Sequence, residues 1–156
     1  MIHTWFECKI QYEKTMENGM NKKVTEPYLV DALSFTEAEA RIIEEMTPFI
    51  SGEFTVSDIK RARYSELFFA EDAESDRWFK CKLTFITLDE KSGSEKKTST
   101  NVLVQATDLR DAVKKLDEGM KGSMADYIIA SVAETAIMDV YPYTEGPNDK
   151  PEFPEA

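Results

Sequence analysis

Trp5-Phe6-Glu7-Cys8-Lys9-Ile10 returns later in the chain as Trp78-Phe79-Lys80-Cys81-Lys82-Leu83. The chain has two tryptophans and two cysteines in all, and both pairs fall inside this match. Rare residues repeating in order constrain the fold more than composition does, because such a period implies a repeated supersecondary unit. The offset is 73 here, and 74 for Leu29-Val30-Asp31-Ala32 against Leu103-Val104-Gln105-Ala106. It stays 74 for residues 34–38 against 108–112 and for Met46 against Met120. It is 73 again where Phe54, Val56, Ile59, Tyr64 and Leu67 match Tyr127, Ile129, Val132, Ile137 and Val140. The shifts fall in a hairpin tip and in the loop after a helix, where insertions are tolerated.

Period and punctuation name the elements of each copy. Phe6, Cys8, Ile10 and Tyr12 alternate with Trp5, Glu7, Lys9 and Gln11, as do Phe79, Cys81, Leu83 and Phe85 with Trp78, Lys80, Lys82 and Thr84. That is the period of a half-buried strand. Asn18-Gly19 and Ser92-Gly93-Ser94 predict turns, and Tyr28, Val30, Ala32 and Val102, Val104, Ala106 predict the returning strands. Ser34 with Glu37, and Asp108 with Asp111, stand at the spacing of a capping box that opens a helix. Phe35, Ala38, Ile42, Met46 and Phe49 then share one helical face, as do Leu109, Ala112, Val113, Leu116 and Met120. The third segments, near 54–69 and 127–141, are long for single strands and predict a bend or bulge in each.

The expected fold is α+β, an internal duplication of a β-β-α-β unit, with antiparallel sheets each covered by one helix and a pseudo-twofold arrangement. The expected boundaries are 1–69 for the first repeat, 70–77 for an acidic linker, 78–144 for the second repeat and 145–156 for a disordered acidic tail with three prolines. A chain of 156 residues, 42% of them hydrophobic, can bury a sizeable core. No run approaches a membrane span, and the first residues lack the pattern of a signal peptide, so the expectation is a cytoplasmic protein with no membrane partner. Cys8 and Cys81 read as buried small hydrophobes, with a disulfide between them as the lesser alternative. The net charge is -11, of which the tail supplies -3 through Glu145, Asp149, Glu152 and Glu155 against Lys150. That balance disfavours non-specific binding to duplex nucleic acid.

The string Tyr28-Leu29-Val30-Asp31-Ala32-Leu33-Ser34-Phe35-Thr36-Glu37-Ala38-Glu39-Ala40-Arg41, preceded by Trp5-Phe6-Glu7-Cys8-Lys9, resembles an uncharacterised family of Bacteroides-type gut bacteria and their phages. The resemblance covers most of the chain and implies no activity, cofactor or catalytic residue. More loosely, duplicated hairpin–helix–strand units are similar to those of a large-subunit ribosomal protein family and of single-strand-binding repeat proteins, a likeness of fold that says little about function.

Several chemistries lack their residues. His3 is the one histidine, so a Ser–His or Cys–His nucleophile pair would depend on it. No cysteine pair has zinc spacing, and no glycine-rich phosphate loop is present. Asp72, Glu74 and Asp76 alternate like the start of a calcium loop, but Arg77 stands where the turn glycine belongs. Glu37, Glu39, Glu44 and Glu45 suit a helix dipole and a solvated face better than a metal. The expectation is a non-enzyme with no catalytic residue, no metal and no cofactor.

Binding surfaces remain. With Phe6, Cys8 and Ile10 turned toward the helix, Trp5 and Lys9 point the other way, as do Trp78, Lys80 and Lys82 in the second copy. Rings beside lysines suit single-stranded DNA or RNA, bases stacking while ammonium groups meet phosphates. Lys22, Lys23, Lys96 and Lys97 near the hairpin tips, with Lys60, Arg61 and Arg63, extend such a path. The competing reading buries Trp5, Trp78, Leu29 and Leu103 as the contact between copies. The leading expectation is therefore a small binding protein for single-stranded nucleic acid in a phage or mobile-element setting. The alternative is a protein–protein interaction or structural module, a homodimer or an inhibitor of a host protein. The acidic tail with Phe153 offers a second docking element for a protein partner.

Overall fold

β1 (Trp5–Thr15) and β2 (Asn21–Asp31) form a long antiparallel hairpin, and β3 (Phe54–Ala62) pairs with the other side of β1. The second repeat builds the same set from β5 (Arg77–Leu88), β6 (Glu95–Ala106) and β7 (Tyr127–Glu134). These relations come from a computed structural model that describes residues 4–123 and 126–143. The tail from 145 and His3 lie outside the described residues. Gly19 and Gly93 close the hairpins with φ of 80° and 70°, a conformation side chains resist.

α1 (Phe35–Met46) and α2 (Leu109–Gly119) cover one face of each sheet. Both begin as the capping residues require. Ser34 Oγ accepts from the Glu37 amide at 3.1 Å, and Asp108 Oδ1 accepts from the Asp111 amide at 2.8 Å. Glu37 and Asp111 reach back one residue further than a capping box does, to the amides of Leu33 and Thr107. Phe6, Cys8, Ile10 and Val30 pack with Ala38, Ile42 and Met46 in the first unit. Cys81, Leu83, Val102 and Val104 pack with Leu116 in the second. Each large apolar side chain buried there stabilises its unit by roughly 1.5–3 kcal/mol. Phe35, Phe49 and Leu109 depart from the expected apolar faces and are exposed. Phe49 lies beyond the last turn of α1. Phe35 meets Phe6 edge-on, with ring centroids 4.9 Å apart, at the margin of the core.

The bulges fall at matched positions. Lys9 pairs with Asp58 but Ile10 with Val56, and Lys82 pairs with Ser131 but Leu83 with Ile129. Ser57 and Ala130 are the extra residues, again 73 apart.

Each third segment is not one bent strand but two strands in different sheets. β4 (Glu66–Phe68) runs parallel to β6, and β8 (Val140–Tyr141) runs parallel to β2. The sheet orders are β3-β1-β2-β8 and β4-β6-β5-β7. The compact units are accordingly residues up to Ala62 with those from Asp139 on, and Arg63–Met138. The fourth strand of each sheet comes from the segment that follows the third strand of the other.

One basic residue at the same helical position holds each incoming segment. Arg41 of α1 donates to the Asp31 carbonyl and, at 3.0 Å, to the Pro142 carbonyl just after β8. Its counterpart at offset 74 is Lys115 of α2. Lys115 Nζ meets Asp72 Oδ2 at 2.8 Å and Asp111 Oδ2 at 2.9 Å, and donates to Ser75 Oγ. The segment expected to be a solvated linker is thus tied to α2, with Ser75 buried.

The Lys115 ammonium, then the Ser75 hydroxyl, hold the Asp72 carboxyl down at about 2, against an ordinary value of 3.8. A carboxylate with a depressed folded value stabilises the fold above its unfolded pKa and loses that contribution as pH falls through the folded one. Asp72→Asn is expected to reduce the fall in stability of the second unit between about pH 4 and pH 2. Denaturant titrations of both proteins across that range check it, and identical profiles would show that this pair does not contribute.

Candidate interaction surfaces

The strands place the tryptophans and the lysines differently. Trp5 and Trp78 do lie on the helix-free faces, across from Asp31 and Gln105. They are nonetheless 5% and 2% exposed, and Phe69 packs edge-on to Trp78 at 5.4 Å. Leu29, Leu103, Ile137 and Val140 are buried as well. The rings therefore belong to the interior, and the lysines beside them are what solvent meets.

Those lysines differ between the units. On sheet A the cross-strand neighbours on the helix-free face are Glu7 with Lys60, Lys9 with Asp58, and Glu13 with Lys23. Every lysine there faces a carboxylate, and Lys60 Nζ lies 3.5 Å from Glu7 Oε2. On sheet B, Lys80 lies opposite Leu103 and Ala133, Lys82 opposite Asn101 and Ser131, and Lys97 opposite Ile86. No ion pair forms at these three lysines among the described residues. Each lysine of the first helix-free face thus faces a carboxylate, whereas on the second Lys80 and Lys82 face none and Lys97 has Glu95 two residues away on the same face.

Lys22 and Lys96 point to the opposite faces from Lys23 and Lys97, so the four do not line one path. They share another property. Among the described residues β8 pairs only with Leu29 and Val30, and β4 only with residues 102–104. The outer sides of residues 21–28 and 95–100 are therefore open strand edges. Lysines and a proline on such edges, here Lys22, Lys23, Pro27, Lys96 and Lys97, oppose pairing with other chains. Arg61 also leaves the expected basic path, because its guanidinium lies over the Phe6 and Phe35 rings at 5.7 and 5.8 Å. Arg63 is exposed in the short connection to β4.

β3 and β7 are the outermost strands at the other end of each sheet. They are counterparts in the repeat, yet they present different edges. Thr55, Asp58 and Lys60 on the helix-free side of β3 are replaced by Ile128, Ser131 and Ala133 in β7. β7 carries no charge from Tyr127 to Ala133, and Ile128 is 52% exposed.

Burial, then nearby Glu7, pushes the Cys8 thiol up to about 12, and burial pushes Cys81 up to about 11. Both cysteines are free, and each is buried on the helix side of its own sheet. Neither thiol is expected to react with a thiol reagent at pH 8 in the native chain, and both should react in denaturant. Counting modified cysteines by intact mass checks this, and rapid labelling of folded protein would contradict the burial. Burial raises Tyr12 and Tyr28, whose hydroxyls donate to Glu26 Oε1 at 2.9 and 3.4 Å. Burial alone would lower the Lys115 ammonium, but its bonds to Asp72 and Asp111 outweigh that and raise it. Among the described residues, each resolved shift moves its group further from pH 7.

Among the described residues, no group of three or more His, Cys, Asp or Glu side chains could hold a metal ion. A groove of about 560 Å³ lies along β4 and α2, lined by Phe68, Gln105, Lys115 and Gly119 among others. Its one basic group is already engaged by two carboxylates. No helix among the described residues is long and apolar enough to cross a membrane.

Sequence reasoning missed Arg41 and Lys115 as clamps. Their signal was present as a basic residue at offset 74, one position before the buried Ile42 and Leu116. It also missed the open strand edges, which depend on how short β4 and β8 are.

Comparison with curated proteins and with solved structures finds no match. The profile of one protein family matches residues 4–143, nearly the whole chain. The chain belongs to that family, described as a domain of unknown function, DUF4494.

Proposed function

We propose that this chain is a non-catalytic protein-interaction module that engages its partner through the outer edge of β7. The observation that carries the reading is the contrast between matched edges. Charges guard β3, and lysines guard the open parts of β2 and β6, while β7 offers an uncharged run with an exposed isoleucine. An unguarded edge supplies backbone donors and acceptors to an added strand, and alternate side chains supply selectivity. Burial of both tryptophans supports the same reading, because it removes the rings from which a nucleic-acid platform would be built.

Selection of extended peptides from a display library against the full-length chain tests it. Recovered peptides should lose binding when Ser131→Glu and Ala133→Glu are introduced together. Peptides that bind the variant equally well would place recognition elsewhere.

Lys80, Lys82 and Lys97 on one face of sheet B favour a second reading, binding of single-stranded nucleic acid by that sheet alone. Its setting would be the phage or mobile-element one that the family resemblance implies. Its mark would be affinity for an oligonucleotide that falls steeply with salt and drops in Lys80→Ala/Lys82→Ala. Absence of binding at low salt would remove it.

A further inference from the structure

We infer that the partner at the β7 edge is a second copy of this chain, paired antiparallel through β7 about a twofold axis. This rests on the reading of β7 as an interaction edge and names its occupant.

Self-complementarity is the argument. A twofold contact must match the same strand against itself, so residues equidistant from the axis face each other. With the axis between Ala130 and Ser131, Ile128 lies opposite Ala133 of the second copy, and Ile129 opposite its Val132. Tyr127 then lies opposite Glu134 of the second copy.

The faces agree. Tyr127, Ile129, Val132 and Glu134 all face the helix side of sheet B, and Ile128 and Ala133 both face the helix-free side. The sizes also agree, since a large side chain meets a small one on the helix-free side and two β-branched residues meet on the helix side. Cross-strand pairs of this kind stabilise a sheet. The polar ends place a phenol against a carboxylate, a hydrogen-bonding pair. The bulge at Ala130 sits at the axis, so the kinks of the two strands fall at the same level.

Charge permits this contact and opposes the equivalent one at β3. The net charge of -11 makes two copies repel. A contact region without like charges is therefore required, and residues 127–133 provide one. The same operation on β3 would bring Asp58 and Lys60 into the seam, with Arg61 beside them. Glutamates at 131 and 133 of β7 should thus abolish pairing without harming the fold, because they would lie opposite Lys82 and Lys80. Positions 131 and 133 are exposed, and Asp58 faces Lys9 in the same way at the matched place on β3.

Sedimentation of the full-length chain over a wide concentration range, with amide exchange measured at both ends of that range, tests the inference. The expected result is a monomer–dimer equilibrium in which amides of residues 127–134 gain protection as the dimer forms. Ser131→Glu with Ala133→Glu should raise the dimer dissociation constant at least tenfold, with the unfolding midpoint little changed. A strictly monomeric chain that still binds selected peptides at β7 would overturn the second copy while leaving the edge reading intact. A dimer unaffected by the double substitution would overturn both.

Discussion

Replacing Trp78 with alanine is expected to cost about 3–5 kcal/mol of stability, the range for removing a large aromatic side chain from a packed interior. The residue is 2% exposed, it packs edge-on against Phe69, and its neighbours on that face include the buried Leu103. Truncation leaves a cavity that close-packed surroundings refill only in part. Denaturant unfolding of the single variant measures the loss, and Trp78→Phe should recover part of it by refilling the space. The same substitution separates two accounts of this residue. An indole used for stacking on a surface would leave stability within about 0.5 kcal/mol of wild type when removed, as surface substitutions do. A buried indole cannot be removed so cheaply.

The second large effect is non-local along the chain. Leu67 belongs to the first repeat by sequence, yet it pairs with Leu103 of the second. Leu67→Pro removes a backbone donor from a three-residue strand and is expected to undock β4 from β6. The direct cost is roughly 1–3 kcal/mol for a backbone group left without its partner. Phe68 would then leave the groove beside Gly119, where its ring is packed so closely that even an added Cβ would lie 2.8 Å away. The second unit should lose stability and the first should keep it. Unfolding followed at unit-specific probes reads the difference. Destabilisation confined to residues up to Ala62 would mean that β4 supports the unit it follows in sequence, contrary to its pairing.

Much of this architecture is legible in the amino-acid sequence. Alternation at Phe6, Cys8 and Ile10 requires a strand with one buried face, and the matched Phe79, Cys81 and Leu83 require it twice. Ser34 and Asp108 mark the helix starts because side-chain caps act over three residues, within reach of local reasoning. The exchange of β4 and β8 is not legible. A two- or three-residue strand has too short a pattern to show a period, and its partner lies in the other half of the chain. The same limit hides the role of Arg41 and Lys115, since a clamp is defined by what it holds.

The surfaces are legible only in part. Period two puts Trp5 and Trp78 on the helix-free faces correctly, but facing away from a helix is not the same as facing solvent. Charge pairing decides the rest. Lys9 and Lys82 look alike in sequence, and only the register shows Asp58 beside one and Ser131 beside the other. The contrast between β3 and β7 is visible residue by residue when the two repeats are aligned. It acquires meaning once both strands prove to be sheet edges.

Reciprocal completion of the two sheets is the centre of this account, and one exchange measurement addresses it. The Leu29 amide donates to the Asp139 carbonyl at 3.0 Å, a bond between residues 110 positions apart. In a chain ending at Met138, that amide should lose its protection from hydrogen exchange, while residues 102–104 of β6 keep theirs. Unchanged protection at Leu29, or loss at β6 in its place, would contradict the account.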